Sequence, residues 1–232
     1  MKDKNTYDYL ECLEHREIPM LKEELAPYLA HKKQGEYTID DYYNRTGEYR
    51  VELIDGIIYD MSSPSSIHQI ISLQLCIKFN QYIKNHNGSC IPFIAPMDVQ
   101  LDCNDKTIVQ PDIFILCNRN KLKSNVIYGA PDLVVEILSP TTQNKDIKIK
   151  TAKYRKAGVK EYWIINPITK QICVHIFSPN NNATLYSFDD KVPVGIWDGK
   201  CVVDFREIYD YLRFFDVEND IDADSTHRLG LI

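Results

Sequence analysis

Two apolar segments decide the fold of this chain, Gln110-Pro-Asp-Ile-Phe-Ile-Leu116 and Ala130-Pro-Asp-Leu-Val-Val-Glu-Ile-Leu-Ser-Pro140. Both contain Pro-Asp followed by β-branched or other large apolar residues, a pattern typical of neighbouring buried strands. Each also carries a carboxylate, Asp112 in the first and Glu136 in the second. A buried carboxylate is unfavourable unless a positive group meets it. The two segments therefore predict a cation nearby, and a divalent metal ion is the first candidate.

The second segment shows why Glu136 stands out. Side chains alternate faces along a strand, so Glu136 shares its face with Val134 and Leu138, and the opposite face is wholly apolar. Asp132 follows a proline in a turn, for which a structural role is the simpler interpretation. Two carboxylates from adjacent strands can bind one Mg²⁺, which takes oxygen ligands and keeps several waters. This chemistry favours a phosphate-bearing substrate.

The rest of the chain reads as one α/β domain with extensions. We expect an N-terminal helical arm over residues 1–36, the domain over 37–215 and an acidic C-terminal tail over 216–232. The segments 161–166 and 171–177 are rich in β-branched and aromatic residues and predict two more strands of a mostly antiparallel sheet. The predicted fold is a mixed sheet flanked by helices.

Two further candidate residues lie between the arm and the first segment. Asp55-Gly56 separates two apolar runs, which predicts a tight hairpin, and Ile67–Asn85 predicts a long helix. Glu52 lies in the first hairpin strand, either on the exposed face of a half-buried sheet or in a site. His68 lies in the first turn of the helix, where a lone histidine is more often structural than catalytic.

Charge and composition limit the function classes. The net charge of the 232 residues is -6, which argues against extensive non-specific binding to nucleic acid. A local cationic strip on a Lys-rich helix is compatible with phosphate contacts, although a solvated helix face is the simpler interpretation for most of its residues. The strip consists of Lys145, Lys148, Lys150, Lys153, Arg155, Lys156 and Lys160.

The sequence of residues 1–10 and the pattern of cysteines lead us to expect a cytoplasmic protein. No stretch approaches the roughly 20 apolar residues that a membrane span needs, so we expect no membrane partner. Residues 1–10 are charged and lack the apolar region of a secretory signal. The 7 cysteines are odd in number and never form a CxxC pair. That pattern argues against a disulfide framework and against a structural zinc site.

The motifs together resemble the Uma-type restriction endonuclease family, a branch of the PD-(D/E)XK nuclease superfamily. The resemblance runs from about Tyr37 to about Phe177 and excludes the arm. It rests on Glu-Leu-Ile-Asp-Gly, Ser-Pro-Ser-Ser-Ile-His-Gln, Pro-Asp, Pro-Asp-Leu-Val-Val-Glu-Ile-Leu-Ser-Pro-Thr-Thr, Lys-x-x-x-Tyr and Ala-Gly-Val-Lys-Glu-Tyr-Trp. A restriction-endonuclease-like fold is what this resemblance implies.

One departure from the superfamily pattern locates a further residue. The lysine expected two residues after Glu136 is replaced by Leu138. The resemblance implies that in this branch the catalytic lysine has moved to the following helix, and Lys150 is the matching position. Helical spacing places Lys150 beside the face that packs on the sheet. Lys153 is the second choice, because the same spacing turns it further towards solvent.

The resemblance implies Mg²⁺-dependent hydrolysis of DNA phosphodiester bonds, with Mn²⁺ as a substitute metal. Asp112 and Glu136 would hold the metal, Glu52 would be an extra ligand, Lys150 would act at the phosphate, and His68 would handle a proton or contact a phosphate. A DNA duplex has two strands and one site cuts one of them, so a homodimer with two sites is compatible with cutting both. Two alternatives stay open: a catalytically inactive DNA-binding or regulatory module, and a buried ionic cluster with a purely structural role.

Overall fold

A computed structural model describes residues 32–45, 50–101, 104–139, 145–177 and 182–212. The predicted acidic tail and all but the last few residues of the predicted arm lie outside these ranges. The elements in chain order are α1 (Ile39–Asn44), β1 (Val51–Ile54), β2 (Ile57–Asp60), α2 (Ser66–Asn85), β3 (Ile91–Ile94), β4 (Asp98–Gln100), β5 (Ile113–Leu116), β6 (Leu122–Lys123), β7 (Val126–Tyr128), β8 (Leu133–Ile137), a π-helical segment (Lys145–Lys150), α3 (Thr151–Ala157), β9 (Glu161–Asn166), β10 (Gln171–Ile176), β11 (Asn182–Ser187), β12 (Lys191–Pro193), β13 (Val202–Asp204) and α4 (Phe205–Tyr211).

Six strands form the central sheet in the order β11-β10-β9-β8-β5-β3. Neighbouring strands are antiparallel except β8 and β9, which are parallel and joined through the π-helical segment and α3. A parallel pair needs such a crossover, whereas antiparallel neighbours can be joined by short turns. The predicted mixed, mostly antiparallel sheet is confirmed, and the two Pro-Asp segments supply adjacent central strands.

Apolar layers cover both faces of the sheet. On one face, α2 packs Ile71, Leu75 and Phe79 against side chains that include Val135 and Trp163. These α2 residues recur at helical spacing, so a single stripe of the helix is buried. On the other face, a second cluster contains Val134 and Leu138 of the β8 segment, Tyr162 of β9, Tyr154 of α3 and Ile54 of the hairpin. The alternation predicted along β8 is therefore present.

The β1–β2 hairpin turns as its sequence predicts. Asp55 and Gly56 have φ angles of 52° and 77°. Tight two-residue hairpin turns need positive φ at both central positions, which Asp-Gly adopts readily. Gly56 also packs so closely that an added Cβ would overlap the carbonyl of Gly35. The hairpin is held in place by backbone hydrogen bonds between Leu53 and Ile108 at 2.9 and 2.7 Å.

One disulfide departs from the sequence-based expectation for the cysteines. Cys90 and Cys117 are bonded, at the end of the β3–β5 pair, although 27 residues separate them. They meet because the register pairs Ile91 with Leu116, which places the next residues opposite each other. Spacing along the chain carries no signal for such a contact. Within the described residues, no helix combines the length and apolar character that crossing a membrane requires.

Candidate functional site

One cavity brings all the sequence-predicted site residues together. It lies between β1, the first turn of α2, the start of β5, the end of β8 and the π-helical segment. Its charged and titratable lining consists of Arg50, Glu52, His68, Asp112, Glu136 and Lys150. Five of these six were predicted from the sequence, and Arg50 was not.

Lys150 bridges two buried carboxylates. Its Nζ lies 2.8 Å from Oε1 of Glu136 and 2.9 Å from Oε1 of Glu52. The exposed fractions of Glu52, Glu136 and Lys150 are 0%, 3% and 2%, so this ion triad is almost completely removed from water. Glu52 therefore lies in the site and not on an exposed sheet face. Breaking such a triad would leave an uncompensated buried charge, which is strongly unfavourable.

The π-helical segment and α3 pack against the β1–β2 hairpin, and this packing positions Lys150. Lys150 is the last residue of the π-helical segment, a turn type that is frequent at functional sites. Three residues later, Lys153 Nζ lies 2.5 Å from Oδ1 of Asp55, and Asp55 is three residues after Glu52. The expectation that Lys153 points towards solvent was wrong, because its side chain is only 9% exposed. The hairpin covers this face of the helix, and the sequence pattern around Lys153 does not predict that contact.

Tyr154 adds a second donor to Glu136. Its hydroxyl donates to Oε1 of Glu136 at 2.6 Å, and the side chain is fully buried. Burial and the neighbouring carboxylate raise the pKa of Tyr154 well above its usual value, so the group stays a hydroxyl donor. Tyr154 follows Lys150 by four residues, which puts both on one helix face. That spacing is the signal by which its contact with Glu136 could have been predicted.

Asp112 is held by a backbone amide and a histidine. Its Oδ2 accepts from the amide of Ile137 at 2.8 Å and lies 3.0 Å from Nε2 of His68. The first contact joins the carboxylate of Asp112 directly to the residue after Glu136. His68 is placed by the start of α2, where its amide donates to the capping hydroxyl of Ser65 at 3.2 Å. His68 thus contacts a candidate metal ligand, as an orienting group.

Asp132, in the other Pro-Asp pair, lies outside the cavity. Its Oδ2 accepts from the amide of Cys117 at 2.8 Å, and its Oδ1 lies 2.8 Å from Nζ of Lys160. These contacts tie the turn before β8 to its neighbours. They agree with the structural role predicted for Asp132 and make it a useful control for Asp112.

The donor set fits a hard divalent cation that keeps part of its water shell. In the described parts of the chain, no three His, Cys, Asp or Glu side chains are grouped so as to hold a metal ion. Mg²⁺ usually binds proteins through one or two carboxylates and several waters. Asp112 and Glu136 can be that pair, because both line the cavity and Asp112 uses Oδ2 for both of its contacts. Glu52 contacts Lys150 at 2.9 Å, and its role as an extra metal ligand stays a prediction.

The profile of the Uma2 family, described as "Putative restriction endonuclease", matches residues 38–193 of the chain. This chain belongs to the Uma2 family. The match includes both Pro-Asp segments, the hairpin and the helix that carries Lys150. It leaves out the predicted arm, and it ends at the last residue of β12.

One curated protein and one solved structure are similar to this chain. An uncharacterized protein of Synechocystis sp. is 33% identical over 122 residues, or 52% of this chain and 63% of that protein. The aligned part therefore spans less than two thirds of the relative. The crystal structure of "a putative nuclease belonging to DUF820" from Anabaena variabilis superposes with a TM-score of 0.64 at 21% identity, covering 75% of this chain and 98% of that one. This likeness confirms the nuclease-like fold.

Proposed function

We propose that this protein is a Mg²⁺-dependent endonuclease that hydrolyses DNA phosphodiester bonds, with Mn²⁺ as a substitute metal. The observation that most supports the proposal is the contact of Lys150 with Glu136 at 2.8 Å. The strand position at which the superfamily carries its lysine is Leu138, which is 5% exposed and packs in an apolar cluster. A cation nevertheless reaches Glu136, because the following helix supplies it.

Each residue of the cavity has a defined role in this proposal. Asp112 and Glu136 would hold the metal. Ile137 and His68 fix the carboxylate of Asp112, and Tyr154 fixes that of Glu136. Bound Mg²⁺ would polarise the scissile phosphate and lower the pKa of an attacking water.

Lys150 and Glu52 complete the assignment. Lys150 would orient the water or stabilise the negative charge that develops on the phosphate. Glu52 holds the ammonium of Lys150 in place through its 2.9 Å contact. His68 orients Asp112 through the 3.0 Å contact, and this position also suits transfer of a proton at the cavity.

The net charge of the cavity lining would attract an anionic substrate only after a metal cation has bound. Among the described lining residues, three carboxylates face the cations of Arg50 and Lys150, so these five groups together carry one net negative charge. A divalent cation would make it one charge positive. A phosphodiester would then be attracted instead of repelled.

Plasmid cleavage tests the proposal. The wild-type protein should cut supercoiled DNA in the presence of Mg²⁺ or Mn²⁺, and Asp112→Ala and Glu136→Ala should abolish cleavage. Asp132→Asn is the matched control and should retain it. Cleavage that survives both site substitutions would overturn the assignment. Linear product in addition to nicked product would indicate cutting of both strands, and the solution mass would show whether a homodimer does it.

A second candidate function is a DNA-binding or regulatory module that has lost turnover. It is favoured by the complete burial of Lys150 between Glu52 and Glu136, which satisfies the ammonium without substrate. Tight DNA binding without cleavage, unaffected by Lys150→Ala, would support this alternative.

A further inference from the structure

Arg50 is a cavity residue that the proposed chemistry leaves without a role. It precedes β1, and its guanidinium donates to Oε1 of Gln110 through Nε at 3.2 Å and Nη2 at 2.8 Å. The backbone there is fixed as well, because the amide of Met61 donates to the carbonyl of Arg50 at 2.9 Å. Arg50 therefore has a defined position beside the candidate metal ligands.

A buried network fixes the acceptor that holds Arg50. Nε2 of Gln110 donates to Oδ1 of Asp98 at 2.8 Å and to the hydroxyl of Tyr42 at 3.0 Å, so its Oε1 must face the guanidinium. The amide of Gln110 also donates to Oε1 of Glu52 at 2.9 Å. Gln110 thus joins the arginine to the carboxylate site, two residues before Asp112.

The partner of Arg50 leaves its charge uncompensated. Gln110 is neutral, and no carboxylate in the described ranges lies within 4.0 Å of the Arg50 guanidinium. Arg206, by contrast, is paired with Asp204 at 3.3 Å. A guanidinium has five N–H donors in a planar fork that matches phosphate oxygens, and Gln110 takes two of them. The remaining donors suit an anion in the cavity.

We infer that Arg50 binds a phosphate of the DNA backbone beside the scissile phosphate and so sets the position of the strand. This inference rests on the proposed function and adds a substrate-positioning residue to it. Gln110 and Asp98 hold the guanidinium in the binding orientation, so less conformational freedom is lost when the phosphate arrives. Arg50 supplies affinity and register, and Lys150 acts at the reacting phosphate.

Binding to a labelled random-sequence duplex at several salt concentrations tests the inference. The measurements use Glu136→Gln protein, so that cleavage does not interfere and the cavity lining loses its net negative charge without a bound metal. Adding Arg50→Ala should weaken binding about 10-fold to 100-fold and reduce the slope of log K against log salt by about 0.9, the contribution of one phosphate contact. Adding Arg50→Lys should keep the slope, because the charge remains, and lose part of the affinity.

Arg45→Ala is the matched control. Arg45 lies outside the cavity lining and stacks on the ring of Tyr42 at 4.3 Å, so its loss should leave both affinity and slope unchanged. An unchanged slope in Arg50→Ala protein that unfolds at the wild-type temperature would overturn the role of Arg50 alone. Absence of DNA binding by the Glu136→Gln protein and by the wild type would overturn the proposed function together with it.

Discussion

Lys150 Nζ lies 2.8 Å from Oε1 of Glu136, and both residues are almost completely buried. Fourteen positions separate them along the chain. The contact forms because β8 continues through the π-helical segment and α3 into a parallel partner strand, which folds the helix back over the end of β8. The helix after β8 thus supplies the cation that contacts Glu136, and position 138 of the strand is an apolar leucine.

The ion triad makes the fold depend on Lys150. Lys150→Met should lower the free energy of unfolding by about 3–5 kcal/mol, because the buried carboxylates of Glu52 and Glu136 would lose the ammonium that bridges them. Lys153→Met, three residues along the same helix, is the matched control. Its partner Asp55 is 62% exposed, so we expect a loss of about 1 kcal/mol or less.

Urea unfolding of both variants measures the difference. Adding Glu52→Gln to Lys150→Met should recover part of the loss, because it removes one of the two buried negative charges that Lys150 contacts in the wild type. Equal costs for the two lysine variants would show that the buried triad has no special energetic role.

The hydroxyl of Tyr154 should stabilise Glu136 in its working position. Tyr154→Phe removes a charge-assisted hydrogen bond of 2.6 Å from a fully buried site, and we expect a loss of about 1.5–3 kcal/mol in unfolding free energy. Plasmid cleavage should slow without being abolished, because Asp112 and Lys150 remain. Wild-type stability together with wild-type cleavage would remove Tyr154 from the site.

Short-range patterns predicted much of this fold. The alternation along β8, the Asp-Gly turn and the helical spacing of α2 all report on neighbouring residues, and the structure contains each element. Glu136 was recognisable because it is one charge inside an otherwise apolar strand. Lys150 was identified from helical spacing together with the resemblance to a family, and neither alone would have placed it.

The features that were missed depend on contacts between distant segments. Arg50 meets Gln110 across 60 positions, and Lys153 meets Asp55 across 98. Cys90 meets Cys117 through strand register. Periodicity describes which face of an element is buried, but it does not say which element covers that face. The position of the hairpin over α3 was therefore outside the reach of the sequence patterns.

The hairpin that carries Glu52 should be sensitive to its glycine. Gly56→Ala places a Cβ against the backbone of Gly35 and Tyr37 and also requires alanine at a φ of 77°, and we expect a cost of about 3 kcal/mol. Gly35→Ala is the matched control, with a φ of 96° and open space around the added Cβ, and should cost about 1–2 kcal/mol. Thermal unfolding compares them, and equal costs would contradict the close packing of the turn.

His175 should make the protein less stable in acid. Burial, with a smaller effect of Arg155, lowers the pKa of His175 from 6.5 to about 4. The folded protein therefore binds fewer protons than the unfolded chain in this window, and the stability present above pH 6.5 is lost as the pH falls towards 4. The loss from this group is about 3 kcal/mol. His175→Gln should show a smaller decrease in urea unfolding free energy over the same range, and parallel decreases would contradict the shift.

Calorimetric titration with Mn²⁺ decides whether the cavity is a metal site or a self-contained ion cluster. The wild-type protein should bind one ion per site, and Asp112→Asn and Glu136→Gln should each abolish or strongly weaken the binding. Asp132→Asn should bind like the wild type. An absence of metal binding by the folded wild-type protein at millimolar Mn²⁺, or binding that survives both Asp112→Asn and Glu136→Gln, would contradict the metal-dependent site.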